Sequence, residues 1–168
     1  KTLKAKGEKY GITRLYTDYN QMFKACPEID VVSICTWNNA HVPAGLAAVE
    51  NGCHVFCEKP MAMSAEEAEK LKSAAEKKNV KLAWGFVRRF GKDAVLAREL
   101  VENGMLGDIY YAKAEYLRRN GNPRGWFSDK KLSGGGPMID LGVHVIDLVR
   151  YIAGNPLPVA VYGATFVK

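Results

Sequence analysis

Two groups of residues in this chain have the types and spacing that chemistry needs. The first is Glu58-Lys59-Pro60, which closes the apolar run Cys53-His54-Val55-Phe56-Cys57. A charged pair at the end of a buried strand is costly unless it is partnered or used. In open α/β sheets ligands bind outside the carboxyl ends of the strands, which is where Lys59 falls. The second is Asp140, His144, Asp147 and Tyr151, at i, i+4, i+7 and i+11. On a helix these form one narrow polar line. It is flanked by Leu141, Val145, Leu148 and Ile152 on one side and by Ile139, Val143, Ile146 and Val149 on the other. A helix apolar around most of its circumference is largely buried, so the polar line faces either a strip of water or a cleft. In water, Asp140 and His144 are an ordinary i,i+4 pair contributing a few tenths of a kcal/mol. In a cleft they are a general acid–base unit, because histidine titrates near neutrality and a carboxylate one turn away orients it. The residues alone leave both readings open.

The elements that must position these groups follow from periodicity and caps. Residues 1–9 read as the end of a helix, with Lys1, Lys4, Lys6 and Lys9 on one solvated face. Asp18 caps a short helix running to Cys26. Val31-Val32-Ser33-Ile34-Cys35 is a β-branched strand of the kind buried on both faces. A helix from Val42 to Asn51 is stopped by Gly52, and His54–Cys57 is a second strand. Ser64-x-x-Glu67 is a capping box opening a helix to Lys78, followed by a third strand from Val80 to Trp84. This alternation predicts a parallel sheet with helices on both faces, a partial doubly wound domain over 1–90. A boundary near Gly91 then separates it from residues 91–168. There the sequence predicts a helix from Lys92 to Glu102 and an alternating strand from Ile109 to Leu117. A long polar, Gly-rich stretch over 118–137 follows, then a helix from Met138 to Ala153 and a strand from Val159 to Val167. Loops as long as 118–137 are usually functional or mobile. Gly134-Gly135-Gly136-Pro137 allows close backbone approach but lacks the G-x-G-x-x-G spacing of a dinucleotide turn.

Composition narrows the class. The chain has 168 residues, 48% hydrophobic and 25% charged, which suits a globular fold. No apolar run approaches the roughly 18 residues of a membrane span, so no membrane association is expected and the default location is the cytoplasm. The net charge of +6 is spread among acids on helical faces, without a nucleic-acid-binding motif. Cys26, Cys35, Cys53 and Cys57 form no Cys-x-x-Cys pair; they read as reduced core thiols, with no metal site.

Taken in order, further motifs carry a resemblance. Ile34-Cys35-Thr36 is followed by Asn38 and His41. Then come Gly52-x-His54-Val55-x-x-Glu58-Lys59-Pro60 and Gly85-Phe86-Val87-Arg88-Arg89-Phe90. Gly104-x-Leu106-Gly107-x-Ile109 precedes Gly134-Gly135-Gly136 and Asp140-Leu141-Gly142-Val143-His144-x-x-Asp147. From about Tyr16 to Pro156 the chain resembles the Gfo/Idh/MocA oxidoreductases. The resemblance implies an NAD(P)-dependent dehydrogenase of a sugar or polyol. Its fold would be a Rossmann domain followed by an α/β domain on a mainly antiparallel sheet, and the intact protein would be a homo-oligomer. It implies that Lys59, Asp140 and His144 are catalytic, that Asp147 lines the substrate pocket, and that Thr36, Asn38, His41, Glu58 and Arg88 lie on the cofactor side. In the variable stretch Arg118–Lys131, residues Arg119, Arg124, Trp126 and Phe127 have the chemistry to stack on or hydrogen-bond a sugar. Relatives of this kind also include enzymes that eliminate a glycosidic bond through transient oxidation, and non-enzymatic ligand sensors. Trp37 departs from the proline common after the Thr36 position. The glycine turn that begins the family's fold and the end of its second domain have no counterpart here. The chain is therefore expected to be a middle fragment that binds NAD or NADP weakly by itself.

Overall fold

The computed structural model describes residues 2–119, 121 and 123–164. Its helices and strands are α1 Thr2–Tyr10, α2 Tyr19–Ala25, β1 Val31–Ile34, α3 His41–Glu50, β2 His54–Cys57, α4 Ala65–Lys78 and β3 Leu82–Trp84. After these come α5 Lys92–Glu102, α6 Lys130–Ser133 and α7 Val143–Ile152. The chain divides into two compact units. One comprises the residues up to Gly85 with Asp129–Gly134; the other comprises Phe86–Ser128 and the residues from Gly135 on.

In the first unit, local signals set the element ends. The Asp18 carboxylate accepts from the Asn20 N–H at 2.8 Å and starts α2. The Ser64 hydroxyl accepts from the Glu67 N–H, while Glu67 Oε2 accepts from the Met63 N–H, both at 3.2 Å. This is a capping box shifted by one residue on its return arm. Asn79, in the left-handed region at φ 52°, ends α4.

The three strands are parallel and lie in the order β1-β2-β3. The register pairs Val32 with Val55 and Ile34 with Cys57, and pairs Val55 with Leu82 and Cys57 with Trp84. These residues form one row that faces the helices. The other row, including Val31, Ser33, Phe56 and Ala83, is exposed. β1 was expected to be buried on both faces, and the sheet to carry helices on both; among the described residues one face is covered. The cause is handedness. Strands laid down in a single direction by right-handed crossovers place both connecting helices on the same side. Accordingly α3 and α4 pack together there. Gly45 of α3 permits the close approach, since a Cβ at that position would lie 3.0 Å from Leu71 of α4. Leu71, Ala48, Val49, Val55 and Cys57 form the centre of the core.

In the second unit, α5 and α7 are joined through Tyr151. The Arg98 guanidinium from α5 lies 4.6 Å from the Tyr151 ring centre, and its NH1 donates to the Tyr151 carbonyl at 2.8 Å. Arg89, from a 3-10 turn over Val87–Phe90, lies 5.4 Å from the same ring. Two expectations are corrected here. The predicted helix from Met138 opens with a π-turn over Met138–Gly142, in which the Val143 N–H bonds the Met138 carbonyl. The stretch 118–137 contains a 3-10 turn at Gly125–Ser128 and the short helix α6. The alternating segment 109–117 carries no ladder with any described residue, and Tyr110 and Leu117 are exposed. A strand exists only through a partner, and alternation cannot supply one. Residues 159–164 are likewise unpaired with any described strand; the rest of that predicted strand lies outside the described residues. Among the described residues no helix is long and apolar enough to cross a membrane.

Cys26, Cys53 and Cys57 are buried and Cys35 is exposed; all are free thiols. Burial pushes the Cys57 thiol up to about 12 and also raises that of Cys53, so neither forms the reactive thiolate near neutral pH. A native-state labelling experiment at mildly alkaline pH is expected to show one fast thiol, abolished by Cys35→Ser; fast labelling of Cys57 contradicts this burial. Arg89 pairs with the mostly buried carboxylate of Asp147 on α7, and Arg89→Ala is expected to lower unfolding stability by about 2 kcal/mol, the scale of hydrogen bonds to a charged partner. Denaturant titration would measure this, and a loss within error of zero would show the pair to be energetically idle.

Candidate active site

In the first unit, the residues singled out in sequence gather at the carboxyl ends of β1 and β2. The last ladder bonds run from the Glu58 N–H to the Ile34 carbonyl at 2.9 Å and from the Gly85 N–H to the Cys57 carbonyl at 2.8 Å. Thr36 and Trp37 are exposed just past β1, with Thr36 Oγ1 donating to the Trp37 carbonyl at 3.2 Å. Glu58 and Lys59 are half-buried just past β2. The Lys59 N–H donates to Glu58 Oε2 at 3.3 Å, and the Lys59–Pro60 peptide is cis. Gly85 leaves space for the Glu58 carboxylate, which a Cβ there would meet at 3.2 Å. Gly85 is therefore part of this arrangement, although its sequence signal was only a glycine after a strand.

Asn38 and His41 have a different place. Both are buried, His41 completely. Asn38 Nδ2 donates to the Ser133 carbonyl at 2.8 Å. His41 Nδ1 lies 2.8 Å from the Pro60 carbonyl oxygen and Nε2 lies 3.3 Å from that of Thr36. Their side chains lie against backbone carbonyls.

The second unit contains the other expected residues. Arg88, His144, Val145 and Leu148 line a cavity of about 460 Å³ together with Glu115 and Tyr116. Arg88 NH2 is 3.5 Å from the Tyr116 hydroxyl, and the Arg118 guanidinium lies 5.1 Å from the Tyr116 ring centre. Arg118 and then Arg88 hold the phenol below the usual tyrosine range. Asp140 sits in the π-turn, with Arg118 NH1 4.0 Å from Oδ2. Asp147 was expected to line a substrate pocket. Its carboxylate meets the Arg89 guanidinium in a two-pronged pair, with Nε donating to Oδ2 at 2.8 Å and NH2 donating to Oδ1. The Asp147 side chain is only 10% exposed. Arg124 is exposed and has φ 64°. Trp126 stacks on Phe127 with ring centres 3.9 Å apart, so one face of its indole is already occupied. Tyr116 was missed in sequence, because the segment holding it reads as an ordinary alternating strand.

Residues 1–86 match the family model described as an oxidoreductase family with an NAD-binding Rossmann fold. Residues 95–168 match the GFO/IDH/MocA C-terminal domain. The chain is 44% identical over 166 residues to the D-glucoside 3-dehydrogenase of Escherichia coli K12, covering 98% of this chain and 47% of that protein. It is 32% identical over 149 residues to the myo-inositol 2-dehydrogenase of Thermotoga maritima, covering 88% and 43%. A levoglucosan dehydrogenase solved in complex with NADH and levoglucosan superposes with a TM-score of 0.78 at 29% identity, covering 91% of this chain and 42% of that one. The chain thus spans about half the length of the curated relatives it matches. Both matched regions are those of one family, and this chain belongs to the Gfo/Idh/MocA oxidoreductases.

Proposed function

We propose that the protein containing this chain is an NAD(P)-dependent dehydrogenase that oxidises a secondary alcohol of a sugar or polyol. The observation that carries the reading is the placement of Lys59. It is half-buried at the carboxyl end of the central parallel strand, beside the end of β1, in a chain whose relatives include glucoside and inositol dehydrogenases.

The residues present fit one end of a dinucleotide. Thr36, Glu58 and Lys59 meet at adjacent strand ends, where nucleotides bind in such sheets, and Gly85 keeps the space around Glu58 open. A pyrophosphate-cradling glycine turn is not among these 168 residues, so these residues alone are expected to hold the cofactor weakly. When bound, the nicotinamide supplies the hydride acceptor. The chain's own groups manage the proton and the charge. Lys59 Nζ donates a charged hydrogen bond to the alcohol oxygen and stabilises the developing negative charge. His144 Nε2 takes the hydroxyl proton, and Asp140 orients the imidazole or the substrate hydroxyl. Arg88, Tyr116 and Arg124 contribute donors to the polyhydroxyl ligand, and Trp126 offers its uncovered face for stacking. The segments 109–117 and 159–164 belong to the antiparallel sheet of the second domain.

In the full-length protein with NAD+ or NADP+ and a panel of glucosides and inositols, reduced-nicotinamide absorbance is expected to rise. Lys59→Ala and His144→Ala are each expected to lower kcat by on the order of 10²-fold or more. Turnover near that of the wild type in either variant would remove that residue from the mechanism. Absence of net cofactor reduction would favour redox elimination or sensing instead. The depressed Tyr116 phenol gives a pH test. The folded state favours phenolate, so removing the guanidinium in Arg118→Met should move the ionisation midpoint up. Difference absorbance against Tyr116→Phe measures it, and an unmoved midpoint would show that Arg118 does not act on the phenol.

A further inference from the structure

We infer that His41 is a positioning residue for Lys59, a pin between the core and the loop that presents the lysine. This rests on the role proposed above for Lys59. His41 is the first residue of α3, and Val42, Ala44, Ala48 and Val49 of that helix are buried in the core. The ring is completely buried, so water is excluded as a partner. Nδ1 lies 2.8 Å from the carbonyl oxygen of Pro60, the residue after Lys59, and Nε2 lies 3.3 Å from that of Thr36. Both partners are acceptors, and a neutral imidazole has one N–H. The shorter contact assigns that hydrogen to Nδ1 and makes Pro60 the stronger attachment. A buried carbonyl without a donor is costly, so loss of the ring frees the Pro60 carbonyl to seek water. The adjoining Lys59 peptide turns with it. A displacement of about 1 Å at a reacting group is enough to slow a reaction on the order of 10²-fold. The ring thereby ties the loop after β2 to the start of α3.

Steady-state and single-turnover hydride transfer in the full-length protein test the assignment. His41→Ala is expected to lower kcat on the order of 10²-fold, while KM for the nicotinamide cofactor changes only a few-fold. His41→Asn, whose amide N–H lies near the Nδ1 position, is expected to restore most of the rate; His41→Gln, which reaches toward the Nε2 position, is expected to restore less. In a Lys59→Ala background, His41→Asn and His41→Ala should have equal rates, because the lysine they differ in positioning is gone. Equal rates for Asn and Gln in the wild-type background would overturn the inference. So would a His41→Ala loss of the same size with and without Lys59, the signature of a purely structural role. If His41→Ala does not fold, the Asn and Gln comparison decides alone. A Lys59→Ala enzyme with near-wild-type turnover would instead sink the role of Lys59 itself, an outcome distinct from both.

Discussion

Parallel pairing of β1 with β2 fixes where everything in the first unit must go. The register ends Ile34 level with Cys57, so the chain leaves both strands at the same height and in the same direction. Beyond the last ladder bonds, backbone carbonyls enter a half-buried region with no strand to receive them. Buried carbonyls require donors, and the donors come from the turn that opens α3. Asn38 takes the Ser133 carbonyl, and His41 Nδ1 takes that of Pro60. Two separate stretches of chain are thereby tied to one helix start. The helix start is rigid because α3 is wedged against α4 with Leu71 over Gly45. The core and the polar groups above it thus form one continuous argument from packing to placement.

The second unit solves a related problem with charge in place of amides. Its helix α7 carries the polar line read in sequence, but the line is not uniform. Toward its end, Asp147 and Tyr151 are engaged by Arg89 and Arg98. These contacts are packing: planar guanidinium groups stack on the ring and grip the carboxylate, a role for which lysine is a poor substitute. Toward its beginning, Asp140 sits in a π-turn and His144 borders a cavity shared with Arg88 and Tyr116. A π-turn changes the rotation per residue, so Asp140 does not sit where α-helical geometry would put it relative to His144. Such turns recur at functional sites. Here it starts at Met138 and ends at Gly142, where a Cβ would meet the Met138 side chain at 2.6 Å. A side chain at that position would displace the exposed Met138 thioether.

What was legible in the sequence follows the range of the forces involved. Caps are local, so Asp18, Ser64 and Gly52 marked helix limits correctly. Strand identity in the first unit was legible too, because helices on a parallel sheet impose a regular alternation of apolar runs. Which face of β1 is buried was not legible. Val31-Val32-Ser33-Ile34 is apolar on both sides, and only the direction in which successive strands are laid down decides that Val32 and Ile34 face the helices. Position along the chain put Lys59 at the end of a strand and His144 on a helix, where the structure has them. Partners could not be read in this way: nothing near Asp147 announces Arg89, 58 residues away, and nothing near His41 announces Pro60. The segment 109–117 shows the same limit in reverse, with the alternation of a strand and no ladder among the described residues.

The charged exit from β2 is intelligible once its three residues are separated. Glu58 turns its carboxylate toward its own chain, accepting from the Lys59 N–H, and occupies the space that Gly85 leaves beside the next strand. A Cβ at position 85 would crowd that carboxylate at 3.2 Å. Pro60 has no N–H to satisfy, and its buried carbonyl is met by His41. Two of the three residues are therefore anchored, one on each side of the lysine. An anchored residue on either side limits the backbone freedom of Lys59. A fixed backbone is what the role proposed for Lys59 asks of its base, so that orientation is not lost. The same logic explains why a charged pair persists at the end of a strand that the core would otherwise fill with apolar residues.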